Sequence, residues 1–226
     1  ASDAGEIIQT SPALKKVDVV EHLGETVNGD LMFTDQNGKS VKISDYYGDK
    51  PILLTLNYYQ CETLCSTQLN GLLNWLKELD WTACDQFKIV NVSIDPTETA
   101  ELALGKRQTY LEDLGRGDVE WHFLTGHESQ IERLAAEVGF QYAYDSLAQQ
   151  YAHPAVISFL SPDGLISRYI YGIQYDARDI KFSLIDAAKG KVGSVMEKII
   201  MSCFSYDYSL GKYTATAFGV MRLGGL

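Results

Sequence analysis

The stretch that most restricts the fold is PILLTLNYY, residues 51–59, a continuous apolar run rich in strand formers. A strand with one wet face alternates apolar and polar residues, whereas a run without alternation needs cover on both faces. It therefore predicts a central strand in a mainly parallel sheet with helices on both sides. The run leads into Cys61, and Cys65 follows after three residues. From Thr63 to Leu79 the residues Leu64, Leu69, Leu72, Leu73, Leu76 and Leu79 recur at helical spacing. The cysteine pair thus stands where a buried strand gives way to a helix. Ligands of such sheets sit beyond the carboxyl ends of the strands.

The remaining pattern agrees. FKIVNVSID (87–95) reads as a second buried strand, ended by Asp95 and Pro96, and EWHFLTG (120–126) as a third. Helical patterns cover 97–114, 128–138 and 176–200. Gly139 is placed to cap the second of these, and Gly190 and Gly193 interrupt the third. Residues 29–48 alternate around Asn37 and Gly38, and 154–172 around Ser161-Pro162-Asp163-Gly164, so both predict hairpins. The expected fold is α/β and thioredoxin-like: a central mixed sheet flanked by helices, with an N-terminal β-hairpin. The expected division is an extended lead-in over 1–28, one domain over 29–200, and a tail over 201–226.

Charge removes one class of partner. A net charge of −11 argues against nucleic acid, which needs a basic footprint. The last residues, 213–226, are uncharged except for Arg222, and read either as a packed tail or as the approach to a membrane helix. No run of 18 apolar residues occurs.

Chemistry concentrates at the cysteines. Residues at i and i+4 share one helix face, so both sulfurs could reach one ion or each other. Amide N–H groups at a helix N-terminus favour the thiolate, which is both nucleophile and soft-metal ligand. Spacing alone leaves the two roles open. A purely structural disulfide is the weaker reading, because so small a closed loop contributes little. A soft metal needs a third donor. Of the four histidines, His153 lies just before the strand of the second hairpin, next to Pro154, in the loop that borders the dithiol of thioredoxin-like folds. A set of Cys61, Cys65 and His153 suits copper, since thiolates favour Cu(I) and imidazole also accommodates Cu(II). His22, His122 and His127 read as structural.

The segments CETLC (61–65), VSIDPTET (92–99) and YAHPAVISFLSPDGLISRYIYG (151–172), in this order, resemble the Sco/SenC copper-binding proteins. The resemblance covers roughly residues 29–187. It implies a thioredoxin-like copper metallochaperone that assists assembly of the dinuclear copper site of cytochrome c oxidase, with the copper-bearing oxidase subunit as partner. Other periplasmic copper chaperones or thiol reductases are further possible partners. Copper would be held by Cys61, Cys65 and His153, with Asp95 lying beside the ligands. Asp95 reads equally as a helix cap or a turn residue. The tail resembles that of a bacterial subgroup with a C-terminal membrane anchor, which implies a location in the periplasm or on the extracytoplasmic face of the membrane. Two departures stand out: Glu62 replaces the proline that many relatives carry after the first cysteine, and Glu98 and its neighbours replace an arginine and an aspartate.

Two other functions compete. In a thiol–disulfide oxidoreductase that keeps the copper-receiving cysteines reduced, Cys61 and Cys65 would be the redox pair. A peroxidase of the same fold wants threonine three residues before its cysteine, where this chain has Tyr58. Cys84 and Cys203 read as two separate thiols or as a pair that ties the tail down.

Overall fold

The computed structural model describes residues 13–60, 64–79, 86–116 and 119–193, together with the backbone of 204–207 and 212–215. Cys61, Cys84, Cys203 and the side chain of Cys65 lie outside the described residues, as do 1–12 and 194–200.

β1 (Asp18–Val19) is followed by a hairpin of β2 (Met32–Thr34) and β3 (Ser40–Lys42), paired Phe33 to Val41. Gly38 takes φ 80° at its turn, and the Asp35 carboxylate accepts from the amides of Asn37 and Lys39. β4 (Ile52–Asn57), β5 (Lys88–Ser93) and β6 (Trp121–Leu124) run parallel. β10 (Val156–Leu160) returns antiparallel to β4, and β11 (Ile166–Tyr171) pairs antiparallel with β10. The resulting five-stranded sheet has the order β11-β10-β4-β5-β6 and is mixed, as expected. Two short strands, β12 (Phe204–Asp207) and β13 (Lys212–Ala215), pair with each other in the tail.

All six residues of β4 are buried, which is why its sequence shows no alternation. Ile52, Leu54, Leu56 and Tyr58 join one apolar cluster, while Leu53 and Tyr59 join a second on the opposite face. The second face is covered by α1 (Leu64–Glu78), α2 (Ala100–Leu114) and α4 (Ala177–Ala188). The first is covered by α3 (Glu128–Glu137) and the β2–β3 hairpin. Leu69, Leu72, Leu73 and Leu76 of α1 are all buried at 3% exposure or less, the stripe that the leucine spacing predicts. Each such side chain contributes about 1.5–3 kcal/mol on burial. Gly71 lies on this helix where a Cβ would stand 2.0 Å from the Ile173 carbonyl oxygen, so any side chain would push α1 off the segment after β11.

Gly139 ends α3 with φ 64°, as a glycine cap should. Three regions differ from the sequence reading. α2 begins at Ala100 rather than 97, because Thr99 is its cap and accepts from the Leu102 amide. α4 closes at Ala188, and Gly190 leaves it in the left-handed region at φ 62°. Residues 140–152, without an expected element, form β7 (Phe140–Gln141), which pairs with β1, and a hairpin of β8 (Ala143–Asp145) and β9 (Gln150–Ala152). Among the described residues no helix is long and apolar enough to cross a membrane.

Candidate functional site

The chain leaves β4 through Tyr58, Tyr59 and Gln60 and reaches Cys61 by the next peptide bond. Tyr58 turns toward one face of the sheet and Tyr59 toward the other, continuing the alternation of the strand. The Tyr59 hydroxyl donates to the carbonyls of Asn91 (3.1 Å) and Leu124 (2.7 Å), anchoring it across β5 and β6. Burial, foremost, and then the nearby Glu98 carboxylate raise its pKa well above the usual phenol value, so it remains a donor. Beneath it lies a buried polar column. Asn57 and Asn91 exchange side-chain hydrogen bonds of 3.0 and 3.1 Å, and the Thr55 hydroxyl donates to Asn91.

Glu98 completes this column. It is 7% exposed, and its Oε1 accepts from the Gln60 amide at 2.8 Å. Its Oε2 accepts from the Tyr59 amide at 2.8 Å and the Ser93 hydroxyl at 2.6 Å. Burial raises its pKa against the opposing pull of these three bonds. In sequence Glu98 shows only as a departure from a family pattern, since nothing local announces that its side chain turns back to the end of β4.

His153 comes from the other side. β9 delivers it beyond the end of β4, where it is 4% exposed. Its ring stands edge-on to Tyr58 (centroids 6.0 Å, 79°) and stacks against Phe140 (6.0 Å, 29°). Tyr151 closes the enclosure, 5.7 Å from Tyr58 and 5.9 Å from Tyr142. His153 Nδ1 lies 3.0 Å from the Pro154 carbonyl oxygen, so Nδ1–H is the donor there. In the neutral ring, Nε2 then carries the lone pair, the form in which histidine binds metals. The structure thus brings His153 against Tyr58, three residues before Cys61. Gln68, three residues after Cys65, donates through Nε2 to the Val156 carbonyl at 2.9 Å and so joins α1 to the strand that follows His153. Sequence reading missed Gln68 because an amide within a leucine stripe carries no signal of its partner.

Asp95 sits at the rim, partly buried. Its Oδ1 accepts from the amide (2.8 Å) and hydroxyl (2.7 Å) of Thr97, and its own amide donates to the Ser93 hydroxyl. It is a turn residue, and the cap of α2 is Thr99 instead. Its charge reaches Tyr151, whose pKa burial raises most and Asp95 next. Among the described residues no three metal-binding side chains converge, the cysteine side chains lying outside that set.

The sequence model of the SCO1/SenC family matches residues 20–187. No curated protein sequence matches the chain. Among solved structures, a protein of Aquifex aeolicus VF5 proposed to act in electron transfer is similar, at 25% identity and TM-score 0.64, over 75% of this chain and 95% of that one. Yeast Sco1, solved with copper bound, is 16% identical with TM-score 0.56, over 77% and 94%. BsSco, a cytochrome c oxidase assembly protein with a disulfide switch, is 20% identical with TM-score 0.54, over 78% and 99%.

Proposed function

Because the chain belongs to the SCO1/SenC family, we propose that it binds one copper ion through Cys61, Cys65 and His153. It passes the ion by ligand exchange to the copper-bearing subunit of cytochrome c oxidase, on the extracytoplasmic side of the membrane. The observation that carries this reading is the setting of His153: buried beyond the end of β4 against Tyr58, three residues before Cys61, with Nδ1 donating to the Pro154 carbonyl. The donor set is chemically suited to the cargo, because two thiolates hold Cu(I) and imidazole extends the site to Cu(II). Asp95 acts at the rim as a fixed negative charge whose orientation Thr97 holds. Yeast Sco1, which shares the fold, binds copper.

The test is a titration of the reduced full chain with Cu(I) and with Cu(II), against Cys61→Ala and His153→Ala. One tightly bound equivalent in the wild type, weakened in both variants, is the expected result. Copper held no more tightly by wild type than by Cys61→Ala ends the reading.

The disulfide switch of BsSco favours a second reading. One thiolate attacks a disulfide sulfur of the target, the other resolves the mixed disulfide, and the target is reduced as Cys61 and Cys65 become oxidised. Reduction of the oxidised oxidase subunit faster than by a free dithiol would establish that activity.

A further inference from the structure

We infer that Glu98 is a positioning residue for the Cys61 end of the site, a carboxylate clamp that sets the direction in which the chain leaves β4. The inference rests on the copper reading above and adds to it a residue outside the ligand set. Three observations carry it. Both carboxylate oxygens are committed, Oε1 to the Gln60 amide and Oε2 to the Tyr59 amide and the Ser93 hydroxyl. The two amides belong to the last residues before Cys61, so the clamp ends one peptide bond from a proposed ligand. The carboxylate is buried at 7% exposure, and its described partners are all neutral donors.

A buried carboxylate satisfied only by neutral donors is costly, and removing it leaves those donors unpaired. The amide donors dictate its chemistry. A glutamine has one acceptor oxygen and one NH₂ group, so whichever way it is turned, NH₂ meets a backbone N–H. Only the ionised acid accepts at both positions. Tyr59 is also held at its far end, by the carbonyls of Asn91 and Leu124. The segment is therefore fixed from both ends, and loss of Glu98 frees the end nearer Cys61. Outer groups that orient ligands typically govern 10- to 100-fold in metal affinity.

The experiment compares Glu98→Gln, Glu98→Asp and Ser93→Ala in the full chain, with the copper ion itself and iodoacetamide as probes. Glu98→Gln is expected to weaken Cu(I) binding by about 10-fold or more and to alter the Cu(II)–thiolate charge-transfer band. It should also speed alkylation of Cys61 severalfold, by site-resolved mass spectrometry, while Cys84 and Cys203 keep their rates. Glu98→Asp keeps the charge but withdraws it by one methylene, so it should shift both probes in the same direction. It also carries the test if Glu98→Gln does not fold. Ser93→Ala removes one donor but neither amide, so it should lower stability and leave both probes as in wild type. The inference is overturned if folded Glu98 variants lose stability with unchanged Cys61 alkylation and copper spectrum. It is equally overturned if Glu98→Asp matches wild type while Glu98→Gln does not, because charge and not placement would then be the cause. Should wild type bind no copper, the copper reading alone fails, and the alkylation rates still decide the role of Glu98.

Discussion

His122 and His153 border the same apolar cluster, yet the structure sets them in opposite surroundings. His122 lies on β6, partly buried, with its ring 4.8 Å from that of Tyr46. Burial, and then the charges of Arg107 and Lys88, lower its pKa to about 4. It is held neutral inside a strand, at a place with no cysteine nearby in sequence. His153 is more deeply buried, but it lies past the end of β4, with one nitrogen anchored on its own backbone and aromatic rings on either side. Burial alone therefore does not separate the two histidines. Position along the sheet and the anchoring of one ring nitrogen do.

The comparison breaks most sharply at copper. His153→Ala should lower Cu(I) affinity by more than the roughly 100-fold that loss of an outer partner can bring, measured by competition with a chromophoric Cu(I) chelator. His122→Phe should leave that affinity unchanged, and equal effects would remove the distinction. Tyr58→Ala tests the wall of the His153 enclosure. Tyr58 is 7% exposed, so truncation should cost about 3–5 kcal/mol in urea unfolding, and a loss below about 1 kcal/mol would mean that the ring is not packed as described.

A somewhat smaller effect is expected of His122 through pH. The folded ring takes its proton near pH 4, against about 6.5 when unfolded, so between these values the unfolded chain binds more protons. Stability should be full above about pH 6.5 and fall by on the order of 3 kcal/mol as pH drops toward 4. His122→Phe should lack that part of the fall, and an identical pH slope in the two proteins would refute the account. The smallest effect is that of Gln68→Leu. The change removes the hydrogen bond to Val156, but also a buried Oε1 without a partner among the described residues. The two should nearly offset, leaving about 1 kcal/mol or less in stability. A copper affinity that nevertheless drops would show that the tie between α1 and β10 serves the site.

Much of the frame was legible where the signal is local. The unbroken apolar run of β4 announced burial on both faces, the leucine spacing announced α1, and Gly139 announced its own positive φ. The proposed pairing of the cysteine motif with His153 rests on fold analogy and motif order, since His153 lies 88 positions after Cys65 and no periodicity spans that interval. The β8–β9 hairpin escaped because its turn lacks an Asn-Gly or Asp-Gly pair. It uses the Asp145 carboxylate on the amides of Leu147 and Ala148, and places Gln149 at φ 51°. The end of α4 at Ala188 was legible in part: Gly190 shows in sequence as an interruption of a longer apolar pattern, and its left-handed backbone makes the break an end.

By itself, the sequence determined the α/β layering, the strand that ends at the cysteines, and the residue types that can hold a soft metal. These follow from apolar periodicity and side-chain chemistry, which are properties of neighbours in the chain. Tertiary structure alone decided that His153 packs against Tyr58 with Nδ1 on the Pro154 carbonyl, and that Glu98 reaches back to the amides of Tyr59 and Gln60. The physical reason is that a hydrogen bond is set by distance and direction in space. A carboxylate 38 residues from Gln60 carries no mark in sequence of the donor it will meet.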